Sequence, residues 1–398
     1  MCETSSRRLL CCEASGLGLV HHSCITGSEE PPLQISTVSA TSPLLVGAAQ
    51  SNPVMSTLIH EKDLLFHVVV VGGTTAPFFE HFFPSLLRYS EARFHLVANG
   101  CNDMEITSLR RFECDRVQVE VASKHRILDH GEVLTSLFRA HSGEYFAFLD
   151  SDIFAQGCFL SPALTALSEA DAVFSCLPVW IDPQDQILED FIQYTGGNHT
   201  HLPTGECIGC TYFAIYRRRQ VEEILDEAGI TLSRIIWQDL PGGLAKRLSD
   251  LGWEKAIYDT GKLVNLLMVA RGRKLRCERL PNLWHIGGLS DSAKVTAERA
   301  GILRRAWRAW APRLLRQVRF SIRFRRLISR RETGIIAERT RRRDLACQYT
   351  AEVIKALVES RQIPRGRVGD PDLEAQFDEL ALALENLYAG EVGERVAR

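Results

Sequence analysis

A run of five apolar strand formers, Tyr145-Phe146-Ala147-Phe148-Leu149, stops at Asp150, and a second carboxylate, Asp152, follows after one small residue. No other stretch limits the fold as much. An apolar run without polar alternation suits a strand covered on both faces, hence a central strand of a parallel sheet with helices on either side. In open sheets of that kind, ligands bind beyond the carboxyl ends of the strands, where Asp150 and Asp152 fall. Side chains two apart in an extended chain point the same way, so both carboxylates can face one ligand. Adjacent anions repel unless a cation lies between them, and hard oxygen ligands suit Mg²⁺ or Mn²⁺. The alternative is a plain Asp-Ser-Asp turn that only ends a strand. The surrounding chain decides between them.

Upstream, strand and helix patterns alternate. Residues 64–71 are β-branched and end in Gly72-Gly73-Thr74-Thr75, small residues that let the backbone approach a ligand. Pro77 opens a helix over 78–89, with Phe79, Phe82, Phe83, Leu86 and Leu87 on its inner face. A second strand, 94–98, is tipped by Asn99-Gly100-Cys101-Asn102-Asp103. Residues 104–114 are helical, 117–121 form a third strand, and 127–141 a helix leading into the Asp-Ser-Asp strand. Downstream, the pattern predicts a helix at 160–169, strands at 172–176 and 207–216, and helices at 221–227 and 243–251. This alternation specifies an α/β fold with a Rossmann-like, mostly parallel sheet flanked by helices. No G-x-G-x-x-G follows the first strand and no G-x-x-x-x-G-K-[ST] occurs, which excludes the dinucleotide and P-loop fingerprints.

Residues 1–62 are rich in Ser, Thr, Gly and Pro without a sustained period, the composition of a disordered tail. Met55 lies just before the first strand, an alternative start that would make residues 1–54 an upstream extension. Residues 63–290 form the α/β catalytic domain and 291–398 a helical extension. The 12 cysteines show no disulfide framework, and Cys207-Ile208-Gly209-Cys210 has no second pair at zinc spacing. Reduced, structural cysteines in a cytoplasmic protein are therefore expected. No apolar run approaches the roughly 20 residues that span a bilayer.

The formal net charge of -2 hides a segregation: residues 299–343 carry 16 Arg against Glu332 and Glu338, while residues 344–398 carry 11 acidic against 6 basic side chains. Leu303, Trp307, Trp310 and Leu314 stand at helical spacing with Arg304, Arg305, Arg308 and Arg316 between them. Such a helix either docks on the catalytic domain with its arginines outward or makes peripheral contact with an anionic membrane, where each Arg contributes about 1 kcal/mol. Arginines without a reading motif do not point to nucleic acid. An acidic amphipathic helix continues over 344–386, and the chain from Ala389 is expected to fray.

The order of elements and five short motifs resemble the glycosyltransferases of GT-A fold, and within them the inverting family-two group. The motifs are the strand ending at Val71 with its small-residue tip; Leu96-Val97-Ala98-Asn99-Gly100-Cys101-Asn102-Asp103, similar to V-D-N-G-S-x-D; and Asp150-Ser151-Asp152, the D-x-D. Trp237-Gln238-Asp239 with Arg247 and Gly252-Trp253 is similar to E-D-x-x-x…R…G-[WY], and His285-Ile286-Gly287-Gly288-Leu289-Ser290 to H-x-G-G-x-S. The match covers about residues 64–290. The resemblance implies a metal-dependent transferase moving a sugar from a UDP-, dTDP- or GDP-sugar donor to a carbohydrate or other hydroxyl acceptor.

It implies Asp152 as a direct ligand of Mn²⁺ or Mg²⁺, Asp150 as a contact to the ribose or a metal-bound water, and His285 as a further ligand or a diphosphate contact. Thr74 and Asn99 fall beside the nucleobase and ribose. Asn99 stands where the pattern has a carboxylate, which leaves the base undefined. Direct displacement at the anomeric carbon needs a proton acceptor. Asp239 occupies the family's position for it, and Glu206, ahead of the strand flanking the acceptor, competes for the role. Arg217 would pair a donor phosphate. A sugar-phosphate nucleotidyltransferase should show a Gly-rich loop with basic residues, which Gly72-Gly73-Thr74-Thr75 lacks. A non-catalytic nucleotide-sugar-binding module is the other rival, suggested by Asn99 and Gln238.

Overall fold

The computed structural model describes residues 59–175, 200–202, 206–209, 212–254, 257–287, 289 and 330–397. The expected tail, the Arg-rich tryptophan helix, Gly288 and Ser290 of the histidine motif, and Cys210 lie wholly or largely outside the described residues.

In chain order, β1 (Leu65–Val71), α1 (Ala76–Arg88), β2 (Arg93–Cys101), α2 (Asp103–Arg110), β3 (Val117–Lys124), α3 (His130–Ala140) and β4 (Tyr145–Asp150) build the first half. Then follow β5 (Ile153–Ala155), α4 (Leu160–Leu167), β6 (Ala172–Ser175), β7 (Thr200–His201), β8 (Cys207–Ile208), β9 (Phe213–Arg217) and α5 (Arg218–Ala228). The second half closes with β10 (Ile235–Ile236), α6 (Gly242–Asp250), β11 (Ile257–Tyr258), α7 (Lys262–Ala270), β12 (Leu275–Glu278) and β13 (Leu283–His285). Two long helices follow, α8 (Arg330–Val358) and α9 (Pro371–Ala397).

Seven strands form the main sheet in the order β12-β6-β9-β4-β1-β2-β3. All neighbours pair parallel except β9, which runs antiparallel to both β4 and β6. The sheet is buried on both faces, as the unbroken apolar runs require. Along β4, Tyr145, Ala147 and Leu149 pack with α1, α2 and α4, while Phe146 and Phe148 pack with α3, α5, α6 and α7. The fold class is thus the expected one, a mostly parallel α/β sheet flanked by helices.

Local chemistry fixes the helix starts near the carboxyl edge. Asn102 and Glu105 form a reciprocal capping box on α2, and the Asp129 carboxylate accepts from the Glu132 amide on α3. At the tips of β1 and β2, a Cβ on Gly72 would sit 2.3 Å from the Gly100 carbonyl oxygen, so only glycine permits this approach.

Several elements escape the sequence pattern, among them short strands and two longer elements. Helix α7 is apolar nearly all round because both its faces are buried, and β12 is an edge strand of the sheet. The extension is not an appendage. Helices α8 and α9 share a core with Phe82 of α1, Phe154 of β5, Ile286 and Leu289. Helix α9 continues to Ala397 instead of fraying from Ala389. Among the described residues, no helix is long and apolar enough to cross a membrane.

Candidate active site

Register brings the predicted tips together. Val71 of β1 lies beside Asn99 of β2, and Val69 beside Asp150 of β4. Thr74, Asn99, Asp150 and Asp152 therefore share the carboxyl edge of three adjacent strands. The turn between the two carboxylates is tied down: the Ser151 hydroxyl donates to Thr75 Oγ1 at 2.8 Å, and the Asp150 amide donates to the Tyr212 carbonyl at 2.7 Å.

His285 reaches this edge from a separate ribbon. Strand β13 pairs antiparallel with β5, opposing His285 to Ile153 just past the carboxylates. The His285 Nε2 lies 3.3 Å from Asp152 Oδ1 and 3.7 Å from Asp150 Oδ2. Its ring stacks on Tyr212 with centroids 4.0 Å apart. The Ile286 amide donates to the Asp152 carbonyl at 3.2 Å, and the Leu289 amide to Asp152 Oδ2 at 3.4 Å.

One ligand atom from each of Asp150, Asp152 and His285 lies within 4.8 Å of the other two, the one such group among the described residues. Neighbouring ligands of a hard divalent ion stand about 3 Å apart, so only small side-chain shifts separate this donor set from a coordination shell. The electrostatics agree. Burial raises the Asp150 carboxyl well above the usual range, and the charges of Asp152 and Asp259 push it further. Burial also opposes ionisation of Asp152, but the His285 imidazole and the Leu289 amide overcome it, and its pKa is lowered. Such a carboxylate pair favours a cation or a proton between its members. His285 Nδ1 is buried and finds no hydrogen-bond partner among the described residues.

Two residues that the sequence pattern passed over face the same edge. Strands β10 and β11 form an antiparallel ribbon, with Ile235 opposite Tyr258 and Ile236 opposite Ile257. Asp259 leaves one end of it, half-buried, with Oδ1 accepting from the Thr260 amide at 2.9 Å. Its charge acts on Asp150. His130, the first residue of α3, sits beside it. A Cβ on Gly131 would lie 2.2 Å from the Ser233 Cα, Leu232 donates to Thr135 Oγ1 at 3.0 Å, and Gly261 donates to the Leu232 carbonyl at 2.9 Å. These contacts lock the start of α3 to the Asp259 segment. Burial lowers the His130 pKa against the pull of Asp129, Asp259 and Asp152.

The other predicted residues are distributed differently. Thr74 is buried, its amide and hydroxyl both donating to the Val71 carbonyl. Asn99 clips the segment before α3: its Nδ2 donates to the Leu128 carbonyl at 3.1 Å and its Oδ1 accepts from the Leu128 amide at 2.8 Å. Asp239 ends a short 3-10 turn after β10, exposed and at the end of the ribbon opposite Asp259. Glu206 lies in the β7–β8 hairpin, with Oε2 buried and without a partner among the described residues.

Arg217 is not at this edge. Because β9 runs antiparallel to β4, Arg217 stands opposite Tyr145, at the far end of β4 from Asp150. There it donates to the Ala170 and Leu167 carbonyls, pairs with Glu144 at 3.2 Å and stacks on Tyr145. Its donor-phosphate role does not fit that position.

No protein-family model matches the chain, and no curated protein does. Solved structures do. The mannosyltransferase PcManGT from Pyrobaculum calidifontis, in complex with GDP-Man and Mn²⁺, is similar at 13% identity and a TM-score of 0.36, over 84% of this chain and 88% of that one. Mouse xyloside xylosyltransferase 1, in its apo form, is similar at 9% identity and a TM-score of 0.36, over 56% of this chain and 97% of that one. The galactosyltransferase LgtC, in complex with donor and acceptor sugar analogues, is similar at 12% identity and a TM-score of 0.34, over 62% and 99% respectively.

Proposed function

We propose that the chain is a metal-dependent glycosyltransferase that moves a sugar from a nucleotide-sugar donor to an acceptor hydroxyl, with inversion. The observation that carries this reading is the convergence of Asp150, Asp152 and His285 beyond the carboxyl end of β4. These three residues would hold Mn²⁺ or Mg²⁺. The bound cation supplies Lewis-acid neutralisation of the charge that grows on the departing nucleoside diphosphate.

The chain's own residues account for the remainder. The tips carrying Thr74 and Asn99 border the side of the edge assigned to the nucleoside. On the other side Asp259, whose charge acts on Asp150 at the same edge, takes the proton of the acceptor hydroxyl. His130, kept neutral by burial, offers a ring nitrogen to that carboxylate or to the acceptor. Asp239 and Glu206 compete for the same role. Asp259 is favoured because its charge acts on Asp150, whereas Asp239 leaves the opposite, exposed end of the ribbon.

The test is a panel of UDP-, dTDP- and GDP-sugars, with binding and hydrolysis followed with and without Mn²⁺. One donor should bind, tighten with Mn²⁺ and hydrolyse slowly without acceptor. If no donor binds under either condition, the reading fails. Binding with no turnover on any acceptor would leave a nucleotide-sugar-binding module. Synthesis of a nucleotide sugar from a sugar phosphate would make the chain a nucleotidyltransferase.

A further inference from the structure

His285 is the one member of the proposed metal group that does not lie at or directly after the end of β4. It ends β13, a three-residue strand paired only with the three residues of β5. A ribbon that short has little stability of its own. Its position must come from what covers it.

The cover is the C-terminal helix pair, and one side chain, Gln156, hydrogen-bonds both that pair and the ribbon. Along β13, Leu283 and His285 share one face and Trp284 takes the other. Trp284 stacks on Phe154, with centroids 5.8 Å apart and planes 12° apart. Its Nε1 donates to Gln156 Oε1 at 2.7 Å, and Gln156 Nε2 donates to the Ala383 carbonyl of α9 at 3.1 Å. The Gln156 amide donates in turn to the Asn282 carbonyl, just before β13, at 2.9 Å. Gln156 thus bonds the strand at two points and the helix at a third. Beyond His285, Ile286 and Leu289 are fully buried among Cys347, Val353, Phe377 and Leu380 of α8 and α9.

We infer that Gln156 is a positioning residue for His285, through which the C-terminal helix pair holds the third ligand against Asp150 and Asp152. This rests on the metal reading above. A ligand held by a second layer of hydrogen bonds loses about 10–100-fold in metal affinity when that layer is cut. The helices then belong to the site, although they contribute no ligand to it.

Mn²⁺ binding to the full-length protein, without donor, reads this directly, by electron paramagnetic resonance of the free ion or by calorimetry. Gln156→Ala should weaken Mn²⁺ binding about tenfold or more. Tyr388→Phe is the structural control. It removes the 2.6 Å hydrogen bond between Tyr388 and His81 Nδ1, which ties α9 to α1 and involves neither Gln156 nor β13, and should leave Mn²⁺ affinity unchanged. Where Gln156→Ala lowers the yield of folded protein, Gln156→Glu carries the test: it keeps the acceptor for Trp284, loses the donor to Ala383, and should weaken binding by less. Wild-type affinity in both Gln156 variants, with affinity lost in Asp152→Asn, overturns the positioning role and leaves the metal reading intact. Equal weakening in Tyr388→Phe also overturns it, since general loosening would then suffice. Wild-type affinity in Asp152→Asn overturns the metal reading, and the positioning role falls with it.

Discussion

The two ends of β4 both carry clusters of titratable side chains, and the clusters are built on opposite plans. At the Tyr145 end the polar groups form a continuous chain. His141 Nε2 lies 2.8 Å from the Tyr145 carbonyl, which can only accept, so His141 donates there and its Nδ1 accepts from His67 Nε2 at 3.3 Å. His67 Nδ1 then accepts from His95 Nδ1 at 3.1 Å, and the chain ends there, with His95 Nε2 left as the acceptor of a neutral ring 3.1 Å from the exposed Glu120 carboxylate. Each nitrogen of His67 has one partner and one role. At the Asp150 end the accounts stay open: carboxylates crowd one another, and His285 Nδ1 is buried without a partner among the described residues. Buried polar groups in a finished fold are almost always satisfied. The histidine chain therefore maintains the fold, and the carboxylate group with His285 is the one we propose to bind a cation.

The sharpest way to break this comparison is Asp152→Asn. The substitution keeps the volume and removes a charge that His285 offsets. Transfer should fall about a thousandfold, the few kcal/mol that a cation contributes to stabilising a departing diphosphate. The fold should persist with a thermal midpoint close to that of wild type, because loss of the His285 contact is offset by relief of the repulsion with Asp150. Near-normal turnover, or a collapse of stability, would erase the distinction between the two ends.

Asp259→Asn should follow, with turnover lower by about 10²–10⁴-fold and donor binding nearly unchanged, as expected when a general base is lost. Asp239→Asn should stay close to wild type. If the two variants exchange phenotypes, the base is Asp239. If neither affects transfer while Glu206→Gln does, it is Glu206.

The assignment of the base marks where sequence reasoning stops. The sheet, its helices and the D-x-D turn were legible because periodicity encodes which face is covered, as the alternation of Tyr145, Ala147 and Leu149 against Phe146 and Phe148 displays. His285 was legible from its own motif. The proposed base Asp259 was not: it follows a two-residue strand too short to have a period, and only the folded chain brings its charge to bear on Asp150. Arg217 misled for a related reason. A strand end points to the ligand edge only when the strand runs with the sheet, and nothing local in Phe213–Arg217 announces that β9 is reversed. Gln156 carries no local signal at all, since its partners lie 128 and 227 residues away.

At the closed end the expected effect is on stability. His67→Leu leaves the His95 donor and the His141 acceptor without partners in a buried setting, at about 3 kcal/mol for the two. Urea denaturation should record that loss, while the folded fraction transfers sugar at the wild-type rate. Loss of activity in folded protein would mean that the histidine chain communicates with the site.

The smallest predicted effect concerns pH, and there the two ends should pull in opposite directions. Burial brings the His67 pKa down to about 3, with the charges of His95 and His141 acting the same way. A histidine in the unfolded chain takes up its proton near 6.5, while His67 in the folded protein stays neutral until about 3. Its contribution is therefore intact above 6.5 and lost progressively as pH falls between those values, about 2 kcal/mol by pH 5. His141 and His95 are lowered too, mainly by burial, and add to the loss. Asp150 has the contrary sign. Its pKa is raised on folding, so the folded state binds the extra proton and gains stability on acidification in the absence of a cation. Urea midpoints between pH 7.5 and pH 5 should fall for the wild type, fall less for His67→Leu, and fall more for Asp150→Asn, which removes the compensating gain. An acid loss of the same size in all three proteins would place the titrating groups outside both clusters.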